Sequence, residues 1–207
     1  MTFEEFSSKY KGRLERDKSL AKITSIHLGG SAAWYFDARA VEEISEAVSA
    51  AESSGYPVVL IGGGTNTLFS DQGFSGLVIH VMLGGLERLE GGLVRAEAGV
   101  PMVTLARFTV NASLTGLEWA GSLPGTVGGA VYGNSGCFGS ETRDQLKAVE
   151  ILRAGERLTL KTEQCSFGYR ESIFKRKPVI LLRTVLKFKK GSPKELKKIS
   201  RDIIKLR

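Results

Sequence analysis

Apolar residues recur at positions 3, 6, 10 and 14, a spacing that predicts a short packing helix over Phe3 to Leu14. The aromatic run Ala32 to Asp37 reads as a strand. Val41, Ile44, Ala47, Val48 and Ala51 then share one face of a helix over Val41 to Ser54, which Gly55 is placed to end. After Pro57, the β-branched run Val58-Val59-Leu60-Ile61 has the character of a buried strand, and Leu77 to Val81 repeats it. A strand at Leu93 to Ala98 and a helix over Val100 to Ala112, with Pro101 in its first turn, complete a half in which strands and helices alternate. The second half differs. Gly116, Gly121, Gly125, Gly128, Gly129, Gly133, Gly136 and Gly139 crowd a stretch that no ordinary helix or strand is expected to tolerate. Beyond it, Ala148 to Leu152, Leu158 to Lys161 and Val179 to Phe188 have strand character, with a turn at Gly155. Lys194 to Arg207 reads as a basic helix carrying Leu196, Ile199, Ile203 and Leu206 on one face.

Composition keeps this pattern within the globular class, at 207 residues, 42% hydrophobic and 25% charged. A chain of that length buries a sizeable core without disulfide or metal staples. Its two cysteines, Cys137 and Cys165, are too few for a disulfide framework and are expected as free thiols of a reducing, cytoplasmic compartment. Met1 to Arg16 lacks the apolar core of a signal peptide, and no apolar run approaches the roughly 20 residues that cross a bilayer. No membrane role is expected. The net charge of +7 favours anionic partners. Much of the excess lies in Lys175 to Lys177 and between Lys187 and Arg207, without the interleaved aromatics that stack bases. Nucleic acid is therefore not expected, which leaves a solvated basic face or a field that attracts phosphorylated small molecules.

Gly62-Gly63-Gly64-Thr65-Asn66-Thr67, directly after the strand ending at Ile61, joins bare backbone N–H groups to hydroxyl and amide donors. Such a turn can cradle phosphate oxygens without a lysine. It has neither a Gly-Lys-Ser/Thr sequence nor the Gly-x-Gly-x-x-Gly dinucleotide spacing. The alternative is a tight turn and nothing more. Gly121 to Ala130, with Ser122, Pro124, Gly125, Thr126, Gly128 and Gly129, again sets small residues and hydroxyls in a row and could line a flat ring, or could merely let two sheets approach. Together the two segments suggest a long ligand with a phosphate centre and a planar end. His27 and His80 are too few and too far apart to suggest a metal site.

Three blocks in order, Ile61 to Ile79, Ala120 to Ala130 followed by Asn134, Gly136 and Gly139, and Phe167-Gly-Tyr-Arg-Glu-Ser-Ile-Phe174, resemble the signatures of the UDP-N-acetylenolpyruvoylglucosamine reductase family. Thr24 to Gly30 resembles that family's N-terminal block, with His27 where a basic Arg or Lys is more usual. The resemblance implies an α+β, two-subdomain FAD-binding fold of the vanillyl-alcohol-oxidase/PCMH type, not a Rossmann fold, with the flavin between the subdomains. FAD would be held by Gly62, Gly63, Gly64, Thr65, Asn66 and Thr67 and by Ser122, Pro124, Gly125, Thr126, Gly128, Gly129 and Asn134. NADPH would reduce it, and the hydride would pass to the enolpyruvyl group of a UDP-sugar in peptidoglycan synthesis. Arg170 would be catalytic, steadying the substrate carboxylate and the developing charge, with Tyr169 and Ser172 also on the substrate.

The expected divisions are an N-terminal helix at 1–20, FAD-binding subdomains at 21–112 and 113–190, and a basic helix at 191–207. The family continues into a third domain that supplies a serine proton donor and a glutamate. A full cycle is thus expected to draw on a second chain, a homo-oligomer or solvent for its proton. The other readings of the chain are a FAD-binding protein without reductase activity and a basic interaction module.

Overall fold

A computed structural model describes residues 1–206, which form two compact units that divide between Leu83 and Gly84. The first opens with helix α1 (Phe3–Lys9), whose Thr2 side chain accepts from the Glu5 N–H while the Glu5 carboxylate accepts from the Thr2 N–H. That reciprocal cap satisfies two of the donors that any helix start leaves open. Strands β1 (Leu14–Ser19) and β2 (Ser31–Ala38), helix α2 (Val41–Ser53), and strands β3 (Val58–Ile61) and β4 (Phe74–Val81) follow. The sheet order is β1-β2-β4-β3, with β2, β4 and β3 mutually parallel and β1 antiparallel at the edge. Val41, Ile44, Ala47, Ala50 and Ala51 of α2 are buried, and Phe6, Tyr10 and Phe36 meet with ring centroids 4.8–5.0 Å apart. Leu20, Ala32, Tyr35, Ile61 and Val78 form a further cluster.

One ion pair clips this unit. The Arg13 guanidinium donates to both Glu43 oxygens at 2.8 Å and to the Asp37 carbonyl at 2.7 Å. The Arg13 hydrogen bonds, helped by the Arg39 N–H, hold the Glu43 carboxyl down at about 2. A carboxyl depressed on folding stabilises above its unfolded pKa, and that stability is lost as pH falls through the folded value. Glu43→Gln is therefore expected to cost about 1–2 kcal/mol at pH 7 and progressively less below about pH 4, read from urea midpoints across pH. Equal losses at pH 3 and pH 7 would exclude the ion pair as the cause.

The second unit contains β5 (Leu86–Arg88), β6 (Leu93–Glu97), α3 (Met102–Asn111), β7 (Leu114–Thr115), α4 (Val127–Tyr132), β8 (Gly136–Cys137), β9 (Ser140–Glu141), β10 (Leu146–Arg153), β11 (Glu156–Lys161), β12 (Ile180–Lys187), β13 (Lys189–Lys190) and α5 (Pro193–Lys205). Its main sheet runs β11-β10-β12-β6-β5, antiparallel throughout. Val94, Ala96, Leu105, Leu117, Trp119, Val127 and Leu186 belong to one core, and Val149, Ile151, Cys165 and Phe174 to a second.

Several expectations shift. The first helix ends at Lys9, and Leu14 starts a strand in place of a further turn. The division at 112/113 moves to 83/84, because β6 pairs with β12 and α3 packs beside α4, tying residues 84–112 to the later chain. Residues 1–20 are no separate body, since β1 pairs with β2. Nor is the basic helix separate: Leu196 is buried, Ile203 packs on the Trp119 core, and Ile199 stays 45% exposed. The last residue of that predicted helix, Arg207, lies outside the described residues. The glycine-rich stretch contains a helix after all, α4.

Candidate functional site

The first candidate loop leaves the carboxyl end of β3, where the parallel strands of the unit finish. No hydrogen bond among the described residues takes up the N–H groups of Gly63, Gly64, Thr65, Asn66 or Thr67, so the donors stand open. Gly64 is the fixed point. Its carbonyl accepts from the Ser25 N–H at 3.0 Å, and it adopts φ +62°, which favours glycine. A Cβ there would fall well inside contact with the main-chain oxygen of Ile23. The Thr24 to Gly30 block is thereby the floor of the loop: Thr24 is buried and its hydroxyl donates to Leu28 O at 3.3 Å. His27 sits in the same turn with φ +56°.

In the second segment the N–H groups of Val127 and Gly128 are spent on Val100 O and Ala98 O, both at 2.8 Å. Thr126 caps α4, its hydroxyl accepting from the Gly129 N–H at 3.3 Å. These bonds explain why a helix forms across two glycines. They also divide the glycines by role. A Cβ on Gly128 would press on Ala98, so Gly128 serves packing, whereas Gly129 is exposed and bordered only by the Thr126 hydroxyl at 3.5 Å. The N–H groups of Ser122, Gly125 and Thr126 have no partner among the described residues, and the Ser122 hydroxyl is buried without one. Pro124 is exposed beside them.

Arg170 lies in the tight turn Gly168 to Glu171, closed by Gly168 N–H to Glu171 O at 3.1 Å and Glu171 N–H to Gly168 O at 3.2 Å. Its guanidinium donates to Gly136 O at 2.6 Å and lies 5.7 Å from the ring centre of Tyr169, which is 82% exposed. Lys175 Nζ donates to the Arg170 carbonyl at 2.6 Å. Two residues expected to touch a ligand are instead consumed by the protein. Asn134 is fully buried; its amide donates to Gly168 O at 2.8 Å and Glu141 Oε2 at 3.0 Å and accepts from the Arg143 N–H at 3.2 Å. Ser172 is also buried, its hydroxyl donating to Tyr132 O at 2.6 Å. Both are buried against the protein, and their side-chain donors go to it and support the Arg170 turn.

Burial pushes the Cys165 thiol up to about 11, which disfavours a thiolate at neutral pH. A polar cluster that the sequence reading did not identify joins Tyr35, Asp37 and His80. The Tyr35 hydroxyl donates to Asp37 Oδ1 at 2.8 Å, and His80 Nδ1 is 2.9 Å from that same oxygen. No motif flags it, because its members lie on two strands. The alternation of Tyr35 and Asp37 onto one face of β2 was the available signal.

With this geometry in place, comparison with known proteins finds the FAD binding domain family matching residues 32–160. The UDP-N-acetylenolpyruvoylglucosamine reductase of Synechococcus sp. (strain JA-3-3Ab) is 41% identical over 167 residues, 80% of this chain and 54% of that protein. The enzyme of the same name from Thermotoga sp. (strain RQ2) is 32% identical over 204 residues, 98% of this chain and 67% of that one. Among solved structures, UDP-N-acetylenolpyruvylglucosamine reductase from Thermus caldophilus superposes with a TM-score of 0.80 at 30% identity, covering 94% of this chain and 69% of that chain.

Proposed function

Because the chain belongs to the FAD-binding UDP-N-acetylenolpyruvoylglucosamine reductase family, we propose that it binds FAD and serves the NADPH-dependent reduction of UDP-N-acetylglucosamine enolpyruvate to UDP-N-acetylmuramate. Its fold is the α+β FAD-binding fold of the vanillyl-alcohol-oxidase/PCMH type. The chain spans about half to two thirds of the length of the relatives compared, and the proposal gives it the cofactor and the Arg170 turn. We assign the reaction to the cytoplasm and to peptidoglycan synthesis.

The observation that carries this reading is the surplus of unclaimed donors. The N–H groups from Gly63 to Thr67, with the Thr65, Asn66 and Thr67 side chains, match a pyrophosphate, which needs several donors and no lysine. The Ser122 hydroxyl and the N–H groups of Ser122, Gly125 and Thr126 suit the polar edge of a planar ring, and the open side of Gly129 leaves room for its face. FAD, when bound, supplies the hydride chemistry. Arg170 spends one donor on Gly136 O and keeps the rest of its guanidinium for the substrate carboxylate, where it also steadies negative charge as hydride arrives. The exposed Tyr169 ring extends the same surface toward the UDP-sugar.

Purified protein is expected to be yellow, with a flavin band that survives desalting, and the enolpyruvyl UDP-sugar is expected to stimulate its NADPH oxidation. Arg170→Ala should cut that stimulated rate by about 10²-fold or more while the flavin band stays. Colourless protein that takes up no added FAD would overturn the proposal. Bound flavin without stimulation would restrict it to cofactor binding.

A further inference from the structure

Asp37 and His80 each stand one residue before the carboxyl end of β2 and β4, with Tyr35 two residues earlier on β2, and in register His80 stands opposite Asp37 on one side and Ile61 on the other. Ile61 is the residue from which the Gly62 to Thr67 loop departs. Adjacent strands are about 4.8 Å apart, so His80 is rooted one strand spacing from the base of that loop. In open sheets, ligands lie beyond the carboxyl ends of parallel strands.

The surroundings fix its chemistry. Asp37 Oδ1 accepts from the Tyr35 hydroxyl, and as the acceptor 2.9 Å from His80 Nδ1 it selects the tautomer protonated there. The Tyr35 oxygen is also 2.9 Å from Nδ1, while Nε2 has no hydrogen-bond partner among the described residues. In the neutral ring Nε2 can only accept, and it offers nothing to a phosphate. Protonation makes Nε2 a charged donor, while Asp37 Oδ1 remains the acceptor facing Nδ1. The remaining charges nearby come from β1: Lys18, with Nζ 5.1 Å from the Tyr35 ring centre, and Glu15, opposite Tyr35 in register and paired to Lys18 at 2.8 Å. From β3 the neighbour is the uncharged Ile61.

We propose that His80 is an additional anchor for the anionic centre of the dinucleotide at the Gly62 to Thr67 loop, donating from Nε2 when its ring is protonated. This rests on the FAD reading above. Neither the pyrophosphate nor the flavin titrates between pH 5.5 and pH 8, so a pH-dependent affinity in that range reports on the protein. The chain has two histidines, which makes the assignment tractable.

The test is FAD affinity of the apoprotein, from quenching of flavin fluorescence at pH 5.5 and pH 8, in wild type, His80→Gln and His27→Gln. Affinity is expected to be about five- to tenfold tighter at the lower pH in wild type and in His27→Gln, and equal at both in His80→Gln. Asp37→Asn, which keeps the side-chain volume, removes the carboxylate that faces Nδ1 and should shrink the ratio, and it gives the reading if His80→Gln fails to fold. A flat wild-type profile, an unchanged ratio in His80→Gln, or a ratio that disappears in His27→Gln overturns the inference while leaving FAD binding intact. A wild type that binds no FAD at either pH overturns the FAD reading and this inference together.

Discussion

Gly64→Ala is expected to abolish flavin uptake and to destabilise the Met1–Leu83 unit by about 3 kcal/mol or more. Two costs add. The residue holds φ +62°, where a side chain costs about 1–2 kcal/mol. The new methyl would also press into the main-chain oxygen of Ile23, which cannot swing aside as a side chain would. Ile23 is itself tethered: its N–H and that of Thr24 bond Leu20 O at 3.1 and 3.2 Å, and Leu20 is completely buried. Relief therefore means lifting the loop off the Thr24–Ser25 backbone and breaking the 3.0 Å bond from Ser25 N–H to Gly64 O, which scatters the donors from Gly63 to Thr67. FAD affinity should fall by at least about 100-fold, since several charge-assisted hydrogen bonds lose their common geometry at once. Gly63→Ala is the informative partner. Gly63 is exposed and outside the left-handed region, so the fold should accept the methyl within about 0.5 kcal/mol. Lost flavin affinity with unchanged melting would then show that the ligand lies against Gly63, and a Gly64→Ala protein that melts and binds like wild type would remove the loop from the site.

The loop was legible because its signal is local: a buried strand, three glycines and three small donors fall within one stretch of chain. Fold elements whose stability comes from distant partners were harder to see. Strand β1, Leu-Glu-Arg-Asp-Lys-Ser, has no apolar alternation, since it is an edge strand whose charged side chains face solvent and whose partner is β2. Helix α4 forms in the stretch expected to exclude helices because Val100, Ala98 and the Thr126 hydroxyl bind its first N–H groups, and because the glycine at 128 lets it sit against Ala98. Tertiary context overrode propensity there. The unit boundary was displaced for a related reason: the β6–β12 pairing joins residues nearly ninety positions apart, as in the bond from Thr184 to Ala96. The candidate site divides along the same line. The open donors at 63–67 and 122–126 were recognisable as residue types, but whether Asn134 and Ser172 face a ligand or the protein depends on long-range contacts that no spacing encodes.

Asn134 supplies the second large expected effect, because it changes from a presumed ligand contact into a support. Its amide bridges three pieces of backbone or side chain, Gly168 O, Glu141 Oε2 and the Arg143 N–H, from a fully buried position at φ +43° that asparagine tolerates better than most residues. Asn134→Leu would leave the Gly168 carbonyl and Arg143 N–H unpaired and force a branched side chain into the left-handed region, a combined cost of about 3–5 kcal/mol. Because Gly168 opens the turn that presents Arg170, the substrate-stimulated rate should fall along with the melting temperature. Flavin affinity should change by less than about threefold, since neither open set of donors involves residue 134. Asn134→Asp separates the roles further. It keeps the acceptor for Arg143, loses the donors, and sets a carboxylate against Glu141, so it should destabilise at pH 8 and recover part of that loss as pH falls and one of the two acids takes a proton. If either variant loses flavin affinity by an order of magnitude while melting normally, Asn134 touches the cofactor, and its burial would then describe only the free protein.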